Sequence, residues 1–268
     1  MQNFPYKLFP CFTFTISSFL ILMLFGCSSS LELSSRWTDQ ELAITGDGSH
    51  WKDATTDIVG PDVSIGVKND KNYLYVGLIT SNRATQLQLL ALGCTAWFDT
   101  EGKKSKTFGI QFPVSGLLQG RRFPAQGKPE ELQALINAAQ RQLVICGTGE
   151  GEQHRMSVQE ARGVEAHLGY ADGTLTYELK VPLQKNNDSP YAINADMKKP
   201  LFLGFETGNL ADAMKGRPDV SNRSQVTSVR GRPGGTGGSG AGSGVGSEMP
   251  EPLKHWMTVH LSSGSTTK

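Results

Sequence analysis

Between Val63 and Ile79 the chain alternates. Val63-Ser64-Ile65-Gly66-Val67-Lys68 puts apolar side chains at every second position, the period of a half-buried strand, because successive strand residues point to opposite faces. Asn69-Asp70-Lys71-Asn72 is rich in turn formers, and Tyr73 to Ile79 follows, apolar on both faces. The pair reads as a β-hairpin. Cys94 to Asp99, a turn at Thr100 to Lys104, and Thr107 to Phe112 make a second hairpin. Val164 to Tyr170, an Asp172-Gly173 turn, and Leu175 to Val181 make a third. In its last strand Leu175, Tyr177, Leu179 and Val181 share one face, and Thr176, Glu178 and Lys180 the other. Leu143 to Ile145, Leu201 to Phe205 and His255 to Leu261 read as further strands.

Helical spacing is scarcer. Thr85 to Leu92 reads as a short helical or irregular piece. Pro129 to Gln142 opens with Pro and two glutamates, which suits the positive end of a helix, and repeats Leu132, Leu135, Ile136 and Ala139 at spacings of three and four. Strands joined by hairpin turns dominate. The expected fold is mainly β: one antiparallel β-sandwich of about 220 residues with one or two short helices, at 36–262. Gly231 to Glu248 is a glycine- and serine-rich run that cannot bury apolar area. A strand follows it, so 231–247 is expected to be a disordered loop inside the domain, with 263–268 a tail.

The beginning of the chain has a different pattern. Lys7 precedes an apolar stretch densest at Phe19 to Phe25. A membrane-spanning helix needs about 20 apolar residues, whereas a secretory signal needs only about 7–15 after a basic start. Leu24-Phe25-Gly26-Cys27 resembles the bacterial lipobox. That resemblance implies a signal peptide at 1–26, cleavage before Cys27, acyl chains such as palmitate on Cys27, and a tether at 27–35. Ser28 stands where an aspartate would be the inner-membrane retention cue. By resemblance, this favours an outer-membrane lipoprotein of the cell envelope. An ordinary signal peptide with a chance cysteine is the alternative.

Charge and cysteines remove several classes. Without Lys7 the chain carries 25 basic and 25 acidic side chains, so no net field draws it to nucleic acid. Of four cysteines, Cys94 and Cys146 remain beyond Cys27. They could pair in an oxidising compartment, but two separately buried thiols are the preferred reading. No CxxC and no cysteine–histidine cluster points to zinc, and no GxSxG or HExxH marks an enzyme. Glu178 and Glu206 could be imagined as a glycosidase pair, but solvated ladder positions explain them more simply. The chain is read as non-catalytic and without a cofactor.

The order of motifs carries a resemblance. "GDGSHWKDA", the hairpin "VSIGVKNDKNYLYVGL", "AWFDTEGKKSKTFGIQFP", "YELKVPL", "LFLGFETG" and a closing "HWMTVHL" together resemble the family 9 carbohydrate-binding modules. Those modules are relatives of the haem-binding DOMON domains. The resemblance covers about Trp37 to Leu261. It implies a β-sandwich, with Trp51 a core feature packed beneath a sheet, and a saccharide held between two aromatic rings. Trp97 with Asp99, and Trp256, are the candidate ligand-binding residues, although tryptophan in strands also serves packing. Three functions stay open. One is a lipid-anchored, saccharide-binding envelope protein. Another is an envelope scaffold or accessory subunit that binds another protein. The third is a haem-binding redox accessory protein, for which His255 and Met257 share a strand face.

Overall fold

The computed structural model describes residues 31–59, 62–114, 129–147, 152–208 and 251–264. The leader, Cys27, the Gly-rich run and residues 265–268 lie outside the described residues. Those described belong to the compact unit Leu31–Lys268. In chain order the strands are β1 (Leu31–Ser34), β2 (Arg36–Trp37), β3 (Thr55–Val59), β4 (Val63–Asn69), β5 (Tyr73–Thr80), β6 (Cys94–Asp99), β7 (Phe108–Gln111), β8 (Gln142–Cys146), β9 (Gln153–Ser157), β10 (Glu165–Ala171), β11 (Thr174–Pro182), β12 (Leu201–Thr207) and β13 (Lys254–His260). Among the described residues two α-helices join them, α1 (Arg83–Leu92) and α2 (Pro129–Ala139).

The strands form two sheets. The first has the order β1-β13-β12-β6-β7-β8-β9, and the second β10-β11-β5-β4-β2, with β3 also on β4. The inward residues of both build one apolar core. Ile65, Leu74, Val76, Leu78, Leu175, Tyr177, Leu179 and Val181 come from the second sheet, and Ala96, Phe98, Ile110, Ile145, Leu203, Phe205, Met257 and Val259 from the first. This is the mainly β sandwich that the alternation implies, because each sheet must bury one apolar face against the other. Leu89 and Leu90 of α1 and Leu132, Ile136 and Ala139 of α2 add to the same core. Asn82 starts α1 by accepting the Thr85 N–H at 3.1 Å, an N-cap bond.

The ladders are antiparallel except at two edge pairs, β1 with β13 and β2 with β4, which are parallel. One extended segment, 31–37, makes both. It leaves the first sheet at Ser35 and joins the second. Its strand character begins at Leu31, inside the stretch expected to be tether, and Leu33 is buried in the core. Four residues were too few to show an alternation in the sequence. Asn69 pins the crossing. Its side chain is fully buried, accepts from Ser35 Oγ and from the Ser262 N–H (3.0 Å), and donates to the Ser262 carbonyl (2.9 Å). The two ends of the described sandwich therefore meet at one amide.

Candidate functional site

Strand pairing sets a row across the outer face of the first sheet. Trp256 lies opposite Gly204, Gly204 opposite Trp97, Trp97 opposite Gly109, and Gly109 opposite Cys146. Both rings lie flat. A Cβ built on Gly204 would meet Cδ2, Cε2 and Cε3 of Trp256 at 2.7–2.9 Å. Nearly equal distances around the ring-fusion bond mean that the ring's face, not its edge, covers the glycine. Gly109 meets Cε3, Cζ3 and Cδ2 of Trp97 at 2.5–3.0 Å in the same way. Each tryptophan thus lays one face on a neighbouring strand, and only glycine permits that approach. Both side chains are half-buried.

Trp97 has further neighbours. Its flank packs on Val114, Val144 and Cys146. Its Nε1–H donates to Glu206 Oε2 at 3.3 Å, and Lys106 Nζ pairs with Glu206 while standing 5.7 Å from the Trp97 ring centroid. A cation at that distance from a ring centroid is attracted by the ring quadrupole. One pleat away along the strands is a parallel row of Lys254, Glu206, Thr95 and Gln111. A polar line therefore borders the aromatic one.

Asp99 is not open to a ligand. It is buried, and its carboxylate accepts the backbone N–H groups of Glu101 at 2.8 Å and Ser105 at 3.0 Å. Burial opposes its charge, but the amides of Glu101, Ser105 and Lys103 outweigh that and hold its carboxyl below the usual 3.8. Its work is to fix the β6–β7 hairpin, which carries Lys106 to Trp97.

The outer face of the second sheet is covered. Asp47 accepts the Ser49 N–H at 2.8 Å, and Gly46 and Gly48 take positive φ. This tight turn returns Trp51 onto the paired glycines Gly66 and Gly77. Trp51 is buried as expected, but on the outside of the sheet, apart from the core between the sheets. Its Nε1–H donates to Glu178 Oε1 at 2.9 Å, and Glu178 Oε2 accepts the N–H groups of Thr45 at 2.9 Å and Gly46 at 2.6 Å. Lys180 Nζ reaches Glu41 and Glu165, and the Tyr75 hydroxyl donates to Asp70 Oδ2 at 2.6 Å. Thr176, Glu178 and Lys180, read in the sequence as a solvated face, are therefore buried beneath the 38–54 segment.

This placement also settles other pairs. Glu178 and Glu206 lie on opposite outer faces of the sandwich, so they cannot flank one glycosidic bond. Cys94 faces the core and Cys146 the outer face of the same sheet; both are buried free thiols. Burial pushes the Cys94 thiol up to about 12. Met257 is fully buried in the core beside Val259 and Leu203, so the His255/Met257 pair presents no open axial position. Among the described residues, no group of three or more His, Cys, Asp or Glu could hold a metal ion. A cleft of about 130 Å³ lined by Thr100, Asn194, Asp196 and Lys199 lies near the start of β12. It is well below the size of ordinary ligand pockets, about 300–1,000 Å³.

Sequence reasoning missed the platform's other members, Gly204, Gly109, Lys106, Thr95, Gln111 and Lys254. The available signal was a strand glycine in each of "FGIQF" and "FLGFE".

No family model matches the chain, and no curated protein matches it. Among solved structures it is similar to two of a carbohydrate binding module family 9 (CBM9) from Caldicellulosiruptor kristjanssonii. One is in complex with glucose, at 8% identity and TM-score 0.34, covering 66% of this chain and 78% of that one. The other is in complex with cellotriose, at 8% identity and TM-score 0.34, covering 68% of this chain and 77% of that one.

Proposed function

We propose that this chain is a lipid-anchored, non-catalytic protein of the bacterial outer membrane that binds a saccharide on the outer face of its first sheet. The observation that carries the saccharide reading is the pair of tryptophans in one row, each with one ring face on a glycine and a hydrogen-bonding row alongside. Sugars offer C–H faces to aromatic rings and hydroxyls to polar groups, and a few placed polar groups beside apolar surface are what such a site requires. Trp256 and Trp97 supply the surface. Glu206, Lys106 and Gln111 supply partners for hydroxyls, while Asp99 positions the hairpin.

The anchor rests on Leu24-Phe25-Gly26-Cys27 and the basic, apolar leader before it. Acylation of Cys27 by more than one chain would give lasting attachment, since each buried CH2 contributes about 0.8 kcal/mol.

Two measurements test the reading. Trp256→Ala should lower retention on immobilised polysaccharide about tenfold in a protein that still unfolds cooperatively. Retention unchanged in Trp256→Ala would move the site elsewhere. Cys27→Ser should remove palmitate labelling and release the chain from membranes. Labelling that persists would end the lipoprotein reading.

A further inference from the structure

The saccharide reading leaves open how a sugar lies on the face, and the ring geometry points to one answer. Resting on that reading, we propose that the ligand is an extended, ribbon-like chain of equatorially linked pyranoses. It lies across the strands on Trp256 and Trp97 and is bound through its internal sugars, not its end.

Ring orientation excludes a clamp. Two rings that grip one sugar must face each other across it. Here both lie parallel to the sheet, because Gly204 and Gly109 each meet a ring face. The Trp256 ring rests on β12 and the Trp97 ring on β7, with β6 between them. That separation is two strand spacings, about 9–10 Å, too wide for one sugar ring and of the order of the two-sugar repeat in such a ribbon. The residue of β6 that stands between them in the row is Trp97 itself, so no other side chain of the row rises between the rings.

The flank agrees. Equatorial linkage leaves C–H groups on the ring faces and hydroxyls along both edges. A ribbon lying on the aromatic row would put one hydroxyl edge against Lys254, Glu206, Thr95 and Gln111, which follow the same direction one pleat away. The Glu206 carboxylate of that row pairs with Lys106 of the neighbouring hairpin, and with Lys254, Thr95 and Gln111 beside it the flank offers hydroxyls both donors and acceptors. β-1,4-Glucans are chains of this shape.

The test titrates the full-length chain, purified in detergent, with β-1,4-glucan oligomers from glucose to cellohexaose. Each is used before and after borohydride reduction of its end. The expected result is affinity rising at least about tenfold, the equivalent of ~1.4 kcal/mol, once the oligomer covers both rings, with no effect of reduction. Trp256→Ala and Trp97→Ala should each lower cellohexaose affinity about tenfold, and Trp256→Phe should retain most of it. Melting temperatures show which variants are folded. Glucose binding as tight as cellohexaose, or binding lost on reduction, would overturn the platform while leaving saccharide binding intact. A folded protein that binds none of the oligomers, nor xylan or chitin, would overturn both.

Discussion

Tryptophan on glycine is the recurring unit of this protein at the scale of single residues. Trp37 covers Gly264, Trp51 covers Gly66 and Gly77, Trp97 covers Gly109, and Trp256 covers Gly204. A strand glycine weakens its sheet by roughly 0.5–1 kcal/mol through backbone entropy, and an overlying ring offsets this by burying apolar area and shielding the ladder. A Cβ on Gly77 would sit 2.5 Å from Trp51 Cε2. Gly77→Ala should therefore displace Trp51 and lower unfolding free energy by about 1–3 kcal/mol in denaturant titrations. Glu178 is the matching polar residue. Glu178→Gln places an amide NH2 against the N–H groups that its carboxylate now accepts from Trp51, Thr45 and Gly46. A loss of about 1–3 kcal/mol is expected. His167 adds a pH dependence. Burial lowers its pKa below 6.5, with Glu178 opposing that shift. As pH falls past 6.5 the unfolded chain protonates first, so stability declines until the folded state also takes up the proton. Comparing melting temperatures of the native chain and His167→Gln from neutral pH downward checks this: the variant should decline less.

At the scale of elements, the final strand matters most. β13 lies between β1 and β12 in the first sheet, with Met257 and Val259 fully buried. A chain truncated before Leu253 would leave edges open on both neighbours and a slot in the core. Loss of cooperative thermal unfolding, followed by circular dichroism, is expected; an unchanged melting curve would contradict this placement. The hairpins β4–β5, β6–β7 and β10–β11 were legible because alternation and turn residues coincide in each. β1, β2, β3 and β9 were not. They are edge or near-edge strands of two to five residues, and β9, Gln153–Ser157, is largely exposed. A short edge strand that sends only one side chain or so to the core, as Leu33 does from β1, leaves no apolar period to read.

At the scale of the whole molecule, the two outer faces differ. The second sheet's face is closed by the 38–54 segment, tied down through Glu178, Lys180 and Tyr75. The first sheet's face carries the half-buried Trp97 and Trp256. Residue types alone could not rank the tryptophans, because Trp51, Trp97 and Trp256 each sit among strands or turns. Which one is covered depends on which loop crosses which sheet. The sequence by itself determined the fold class, the main hairpins and the inward positions, because these follow from local alternation and from the need to bury one face of each sheet. Only the tertiary structure decided that Glu178 is buried, that Glu206 lies on the far side from it, that Asp99 serves its own hairpin, and that Trp97 and Trp256 share a row. The physical reason is register. Residues more than a hundred positions apart become neighbours through cross-strand pairing, and no local pattern specifies which strand lies beside which.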